Sequence, residues 1–187
     1  MAMSVFKIMY NKYGAMQDLK NLVNYAIKPE HCIEGIYGAQ GVLKGNSDEM
    51  YRQMYEIKNY FNKKNGRQAL HFILSFSKEE EKFIGLREVL EIGYAVADYF
   101  AGWQIVFGVH TNENHLHIHF AMNTVSYING LKFSIGITEL QQIKKRIEKM
   151  ICEYSKRKKL FSRCQIEDEI IESLYSPAQF PCKIEEG

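Results

Sequence analysis

Apolar positions along the chain follow two rhythms, short dense runs and stripes that recur every three or four residues. SVFKIMY, from Ser4 to Tyr10, is rich in β-branched and aromatic residues and stops at a turn-like Asn-Lys-Tyr-Gly, which predicts a strand. MQDLKNLVNYAIKP then sets Leu19, Leu22, Val23 and Ala26 on one stripe and is closed by Pro29, the spacing of a helix. Four glycines between His31 and Asn46 predict a loop or a loose hairpin. Ser47 can cap a second helix to about Lys64, whose first turn carries Asp48 and Glu49.

RQALHFILSF, from Arg67 to Phe76, predicts a central strand. Ser77, with Glu80 in the capping-box position, opens a long helix through Phe100. Strands over Trp103–Val109 and His115–Val125 are joined by a short turn that suits an antiparallel pair. Asn129-Gly130 between β-formers is a strong hairpin signal, and Thr138 can cap a basic helix to about Lys158. This order predicts an α+β fold: an antiparallel sheet of about five strands with helices packed mainly on one face. One domain is expected over residues 1–163, with a short acidic C-terminal helix and tail over 164–187.

Composition narrows the class without naming a function. The 187 residues are 46% hydrophobic and 25% charged, ordinary globular values, and the formal charge of +2 gives no sign of nucleic-acid binding by itself. Charge is nevertheless uneven: Lys144, Lys145, Arg146 and the SKRKK run are basic, while the stretch after Glu167 is acidic. The four cysteines lack CxxC spacing, which argues against a disulfide framework or a thiolate metal site. With neither a signal-peptide layout nor a membrane-length apolar run, a soluble cytoplasmic protein is expected.

The candidate chemistry lies in HTNENHLHIHFAMN, residues 110–123, which holds four of the six histidines. Alternation puts His115, His117 and His119 on one face of a strand, and His110 returns opposite them across the turn. His110, His117 and His119 would then converge as three neutral imidazoles, a donor set suited to a divalent ion with positions left open for substrate oxygens. His115 sits nearest the turn, where it would meet substrate or solvent instead. Asn123 continues the alternation and either hydrogen-bonds near the site or ends the strand. Lys28 and Arg67 are candidate phosphate contacts, and the basic run of the last long helix could track a DNA backbone. Trp103 and Phe107 read as core.

HTNENHLHIHFAMN also resembles the third motif of the relaxases, the mobilisation nucleases (MOBP-like) of the HUH endonuclease superfamily. His117-Ile118-His119 matches the HUH core, His110 the upstream ligand and Asn123 the trailing asparagine, and His115 and Asn123 are expected as DNA contacts beside them. NLVNYAIKP resembles the first motif and implies that Tyr25 is the nucleophile, with Tyr10 and Tyr13 as nearby rivals for that role. ALHFILSFS resembles the second motif and implies that Ser75 lies beside bound DNA. The resemblance runs over about residues 4–135. It departs from the family where Asn112 stands in place of the usual Asp, so the general base is unassigned, although Glu113 is adjacent.

What the resemblance implies is metal-dependent nicking of single-stranded origin-of-transfer DNA, with Mg2+ or Mn2+ as the ion. Tyr25 would form a 5′-phosphotyrosyl link that can be reversed to rejoin the strand. The implied partners are that DNA, a relaxosome accessory protein and a type IV coupling protein. Three other readings stay open: a rolling-circle replication initiator, a zinc-dependent hydrolase with no need of the tyrosine, and a DNA-binding module with a degenerate site. Initiators carry their tyrosine after the histidines, where this chain offers Tyr154.

Overall fold

The computed structural model describes residues 2–9, 13–82, 84–111, 115–157 and 162–165. In chain order the elements are β1 (Ala2–Met9), α1 (Met16–Ala26), β2 (Cys32–Gln40), α2 (Ser47–Tyr60), β3 (Ala69–Ser75), α3 (Lys78–Glu81), α4 (Leu86–Asp98), β4 (Trp103–His110), β5 (His117–Ser126), α5 (Ile137–Arg157) and β6 (Ser162–Gln165). They form an α+β structure around one six-stranded sheet of order β2-β4-β5-β3-β1-β6. All pairings are antiparallel except β1 with β6.

The central strands explain the dense apolar runs. All ten residues of β5 are buried, because helices cover both faces of the sheet instead of lying mainly on one. On one face, here the front, Leu19, Leu22, Val23 and Ala26 of α1 and Met50 and Met54 of α2 pack on Ala69, Val106 and Ala121. On the back, α4 and α5 pack on a larger core that includes Phe72, Ile105, Phe107, Ile118 and Phe120. Phe72 and Phe120 stack there with centroids 4.8 Å apart, and Phe107 lies 5.3 Å from Phe120. Trp103 and Phe107 belong to this core, as their alternation suggests: Phe107 is fully buried and Trp103 packs edge-on against Phe133.

Three boundaries differ from the sequence pattern. The glycine-rich stretch after His31 is an edge strand, β2, paired with β4 through a break between Cys32 and Tyr37, and Gly35 supplies a φ of +75° inside that irregularity. The helix expected from Ser77 to Phe100 is divided into α3 and α4. Ser77 and Glu80 do form the expected capping box, but the Glu80 carboxylate is fully buried and also accepts hydrogen bonds from the Ser4 hydroxyl. That anchors the short turn to β1, and the chain restarts as a helix from the extended backbone of Gly85. At the far end, β6 crosses the expected domain boundary at 163/164 and pairs with β1. The expected acidic helix and tail lie outside the described residues from 166 onward. The Asn129-Gly130 signal marks a turn closed by the single bridge of Val125 with Lys132. Among the described residues no helix is long and apolar enough to cross a membrane.

Candidate active site

Strand register brings the histidines together on the front face. His110 of β4 pairs directly with His117 of β5, and on the other side of β5 Ser75 pairs with His117 and Ile73 with His119. Directly opposite residues share a face, so one small area carries His110, His117, His119, Ser75 and, four residues along β3 from Ser75, His71. The rings of His110 and His119 lie 4.5 Å apart, those of His117 and His119 4.8 Å, and those of His110 and His117 5.5 Å. One nitrogen from each of the three lies within 4.8 Å of the others, and all three residues are buried.

Each ring is oriented through its other nitrogen. His110 Nε2 lies 2.9 Å from the Ala26 carbonyl oxygen, so that nitrogen carries the proton and Nδ1 is the one the ring can offer as a donor of electrons. His117 Nδ1 donates to the His115 carbonyl at 2.7 Å, which turns Nε2 to the cluster. His119 Nδ1 meets Nε2 of His71 at 2.8 Å. The Nε2 atoms of His117 and His119 are buried without a hydrogen-bond partner, which normally costs free energy unless something coordinates them. Burial holds His119 far below the ordinary imidazole range, to about 2, with His71 next among the causes. His71 is lowered to about 4, again by burial first and then by His110. Neutral imidazoles, outward nitrogens already held and two orphan lone pairs fit a divalent transition ion.

The end of α1 closes over this cluster. The Tyr25 ring stands 4.9 Å from that of His119, 5.4 Å from His110 and 5.7 Å from His31. Gly108, the register partner of His119, makes the approach possible. A β-carbon there would lie 1.9 Å from the Ala26 carbonyl oxygen, the same atom that holds His110. Two histidines join the group that the sequence pattern did not single out. His31, just beyond α1, has its ring 6.0 Å from that of His110. His71 was legible in principle, since it shares the alternation of Ser75 on a strand already expected. His31 leaves no such signal, because only the fold returns the residue after α1 to β4. Tyr13 is also near, its hydroxyl 3.0 Å from His71 Nδ1.

The remaining candidates divide. Ser75 lies in the cluster's strand register, and Lys28 follows α1 in an ion pair with Glu30. His115 precedes β5 and is half-exposed, with Nδ1 3.9 Å from Glu81, so it reaches the site through its carbonyl and not its ring. Asn123 is corrected: it is fully buried, donates to the Met54 carbonyl and to Gln104 Oε1, and accepts from Val125 N–H, so its amide ties the sheet to α2 and cannot touch DNA. Arg67 lies apart from the histidines. It precedes the Ala69–Asn123 pair, six residues along β3 from the Ser75–His117 pair, or about 20 Å at strand rise. Tyr154 packs against the back core, on the face away from the histidines, as does the apolar side of α5 with Leu140, Ile147 and Ile151. Tyr10, Asn112 and Glu113 lie outside the described residues.

Comparison with known proteins gives a consistent picture. The family model described as relaxase, MobA/VirD2-like, nuclease domain matches residues 25–156. A curated relative, Protein rlx of Staphylococcus aureus, is 28% identical over 145 residues, which is 76% of this chain and 41% of that protein. The chain thus spans about two fifths of the length of that relative. A structure solved in work on the molecular basis of vancomycin resistance transfer in Staphylococcus aureus is 14% identical with a TM-score of 0.62, covering 88% of this chain and 98% of the other. The MobM relaxase domain (MOBV; Mob_Pre), bound to plasmid oriT DNA with manganese, is 14% identical with a TM-score of 0.57, covering 81% and 86%. At these identities the two structures establish a shared fold.

Proposed function

Because the chain belongs to the MobA/VirD2-like relaxase family, we propose that it nicks and rejoins one strand of origin-of-transfer DNA, with Tyr25 as nucleophile and His110, His117 and His119 as ligands of a divalent metal ion. One observation carries this reading: the ring of Tyr25 sits 4.9 and 5.4 Å from two of the three clustered histidines, though helix and strands are remote in sequence. MobM is a relaxase that holds plasmid oriT DNA and manganese, and the same classes of substrate and ion suit the donor set here.

The chemistry assigned to the chain is a transesterification. When bound, the ion supplies positive charge beside the non-bridging oxygens of the scissile phosphate. A tyrosine hydroxyl, with an ordinary pKa near ~10, attacks well only once its proton leaves. The Tyr25 oxygen forms a bond to phosphorus, the bond to the 3′ oxygen breaks, and that oxygen takes up a proton. The phosphodiester is conserved as a phosphotyrosyl ester, so the free 3′-OH can reverse the step. Ser75 would contact the strand beside the cluster and Lys28 a phosphate next to Tyr25. The basic face of α5 would bind DNA only beyond the cleavage point, since α5 packs on the back of the sheet. A relaxosome accessory protein and a type IV coupling protein in the cytoplasm complete the proposed setting.

The position of Tyr154 on the back face weighs against an initiator that attacks from the last helix. A zinc hydrolase would need no tyrosine at the cluster. Incubation with single-stranded origin DNA and Mn2+ should yield a denaturation-resistant protein–DNA adduct. Tyr25→Phe should abolish it, and His117→Ala should slow it by about a hundredfold or more. An adduct that persists in Tyr25→Phe would remove the nucleophile assignment.

A further inference from the structure

His71 and Tyr13 have no part in the reaction just described, yet they stand directly behind one of its ligands. His71 Nε2 lies 2.8 Å from His119 Nδ1, and His71 Nδ1 lies 3.0 Å from the Tyr13 hydroxyl. His71 is 6% exposed, so water competes little for these contacts. The other two ligand rings are backed differently, by the carbonyl oxygens of Ala26 and His115. A carbonyl can only accept, so His110 and His117 are held in one tautomer whatever occupies the site. An imidazole can accept or donate. His119 is therefore the one ligand of the three whose backing group can reverse the direction of its hydrogen bond.

We propose that His71, anchored by Tyr13, is a positioning residue that fixes the metal-binding tautomer of His119; this rests on the metal-site reading above. For His119 to offer Nε2, its proton must sit on Nδ1 and be donated to His71 Nε2. His71 then carries its own proton on Nδ1 and donates it to the Tyr13 oxygen. The reverse polarity runs from the Tyr13 hydroxyl to His71 Nδ1 and from His71 Nε2 to His119 Nδ1. It leaves a proton on His119 Nε2, which is buried with no hydrogen-bond acceptor. That state cannot ligate and strands a donor, so ion binding and the forward polarity select each other. The pair supplies the outer hydrogen bond that metal-bound imidazoles generally need, with a side chain in the place of the usual carboxylate or carbonyl.

The test is Mn2+ binding to the full chain by calorimetry, with a nitrogen NMR measurement beside it. His71→Phe should weaken Mn2+ binding by about ten- to a hundredfold. His71→Gln can put an amide oxygen near the Nε2 position and should stay within about threefold of the unaltered protein, since that oxygen only accepts. Tyr13→Phe should fall between the two. In imidazole-labelled protein loaded with Mg2+, His119 and His71 should both carry their protons on Nδ1. This measurement needs no variant and stands even where His71→Phe does not fold. Retention of Mn2+ affinity within twofold in folded His71→Phe, or an Nε2 proton on His71 in the loaded protein, overturns the proposal. His117→Ala separates the two ideas. If it abolishes Mn2+ binding while His71→Phe does not, the metal site stands and only the role of His71 falls. If the unaltered protein binds no Mn2+, both fall.

Discussion

The two faces of β5 are built from the same ten residues and do opposite work. Ile118, Phe120 and Met122 point back into a core of aliphatic and aromatic side chains. His117, His119 and Asn123 point forward, all buried and all polar. Burying nitrogen is costly unless it is paired, whereas burying carbon is the main favourable contribution to folding. The back face therefore stabilises the sheet, and the front face uses that stability to hold imidazoles in a geometry they would not adopt alone. Rigid strands carry the clustered histidines, which fixes their mutual distances more tightly than loops would.

Changes aimed at each face should separate chemistry from stability. Of these, the largest effect is expected from Gly108→Ala, whose new methyl group would meet the Ala26 carbonyl oxygen at 1.9 Å. Backbone cannot yield as a side-chain tip does, so the end of α1 must move off the sheet. Displacement of Tyr25 by about 1 Å should cost on the order of a hundredfold in adduct formation, measured as the initial rate on origin DNA. Phe120→Ala strikes the back face and should cost about 3–5 kcal/mol of stability, seen in urea unfolding, while folded molecules cleave at a near-normal rate. If both variants lost stability and activity in the same proportion, the division between the faces would be wrong.

Asn123→Ala is a smaller probe, because its amide is structural. Loss of its three buried hydrogen bonds should destabilise the protein by about 1–3 kcal/mol, and the salt dependence of DNA binding should not change. The smallest effect is a pH dependence of the front face. His71 and His119 have folded pKa values lowered to about 4 and about 2, against an ordinary value near ~6.5 in the unfolded chain. The unfolded state binds more protons below that value, so the contribution is complete above it and is lost as pH falls toward the folded values. Between pH 7.5 and 6 the metal-free protein should lose roughly 1 kcal/mol per ring, a drop of a few °C in melting temperature. His71→Gln should reduce that slope.

Much of this architecture could be read from spacing because strand alternation is strict. His117 and His119 differ by two, and the turn before them returns His110 to their side, so the cluster followed from period and pairing alone. Asn123 shows where the same logic stops. Its parity matches the histidines, but parity does not tell how far along the strand the helices begin to cover it, and α2 seals that position. His71 has the right parity too, but it stands alone in an apolar run that reads as a central strand, so nothing local marks it. The glycines of β2 misled in another way: Gly35 serves an irregular pairing, not a loop. The division of α3 from α4 depended on Glu80 reaching Ser4, a contact across 76 residues that no local pattern contains.

The bare backbone at Gly108 has a mechanical consequence. Because α1 rests directly on β4 there, the Ala26 carbonyl that ends the Tyr25 helix is also the hydrogen-bond acceptor of His110. The proposed nucleophile and the proposed ligand are gauged from a single reference atom, one peptide unit from Tyr25 and one hydrogen bond from His110. Strains that arise elsewhere, in the loops or at the sheet edges, would shift both together and leave the gap between them nearly constant.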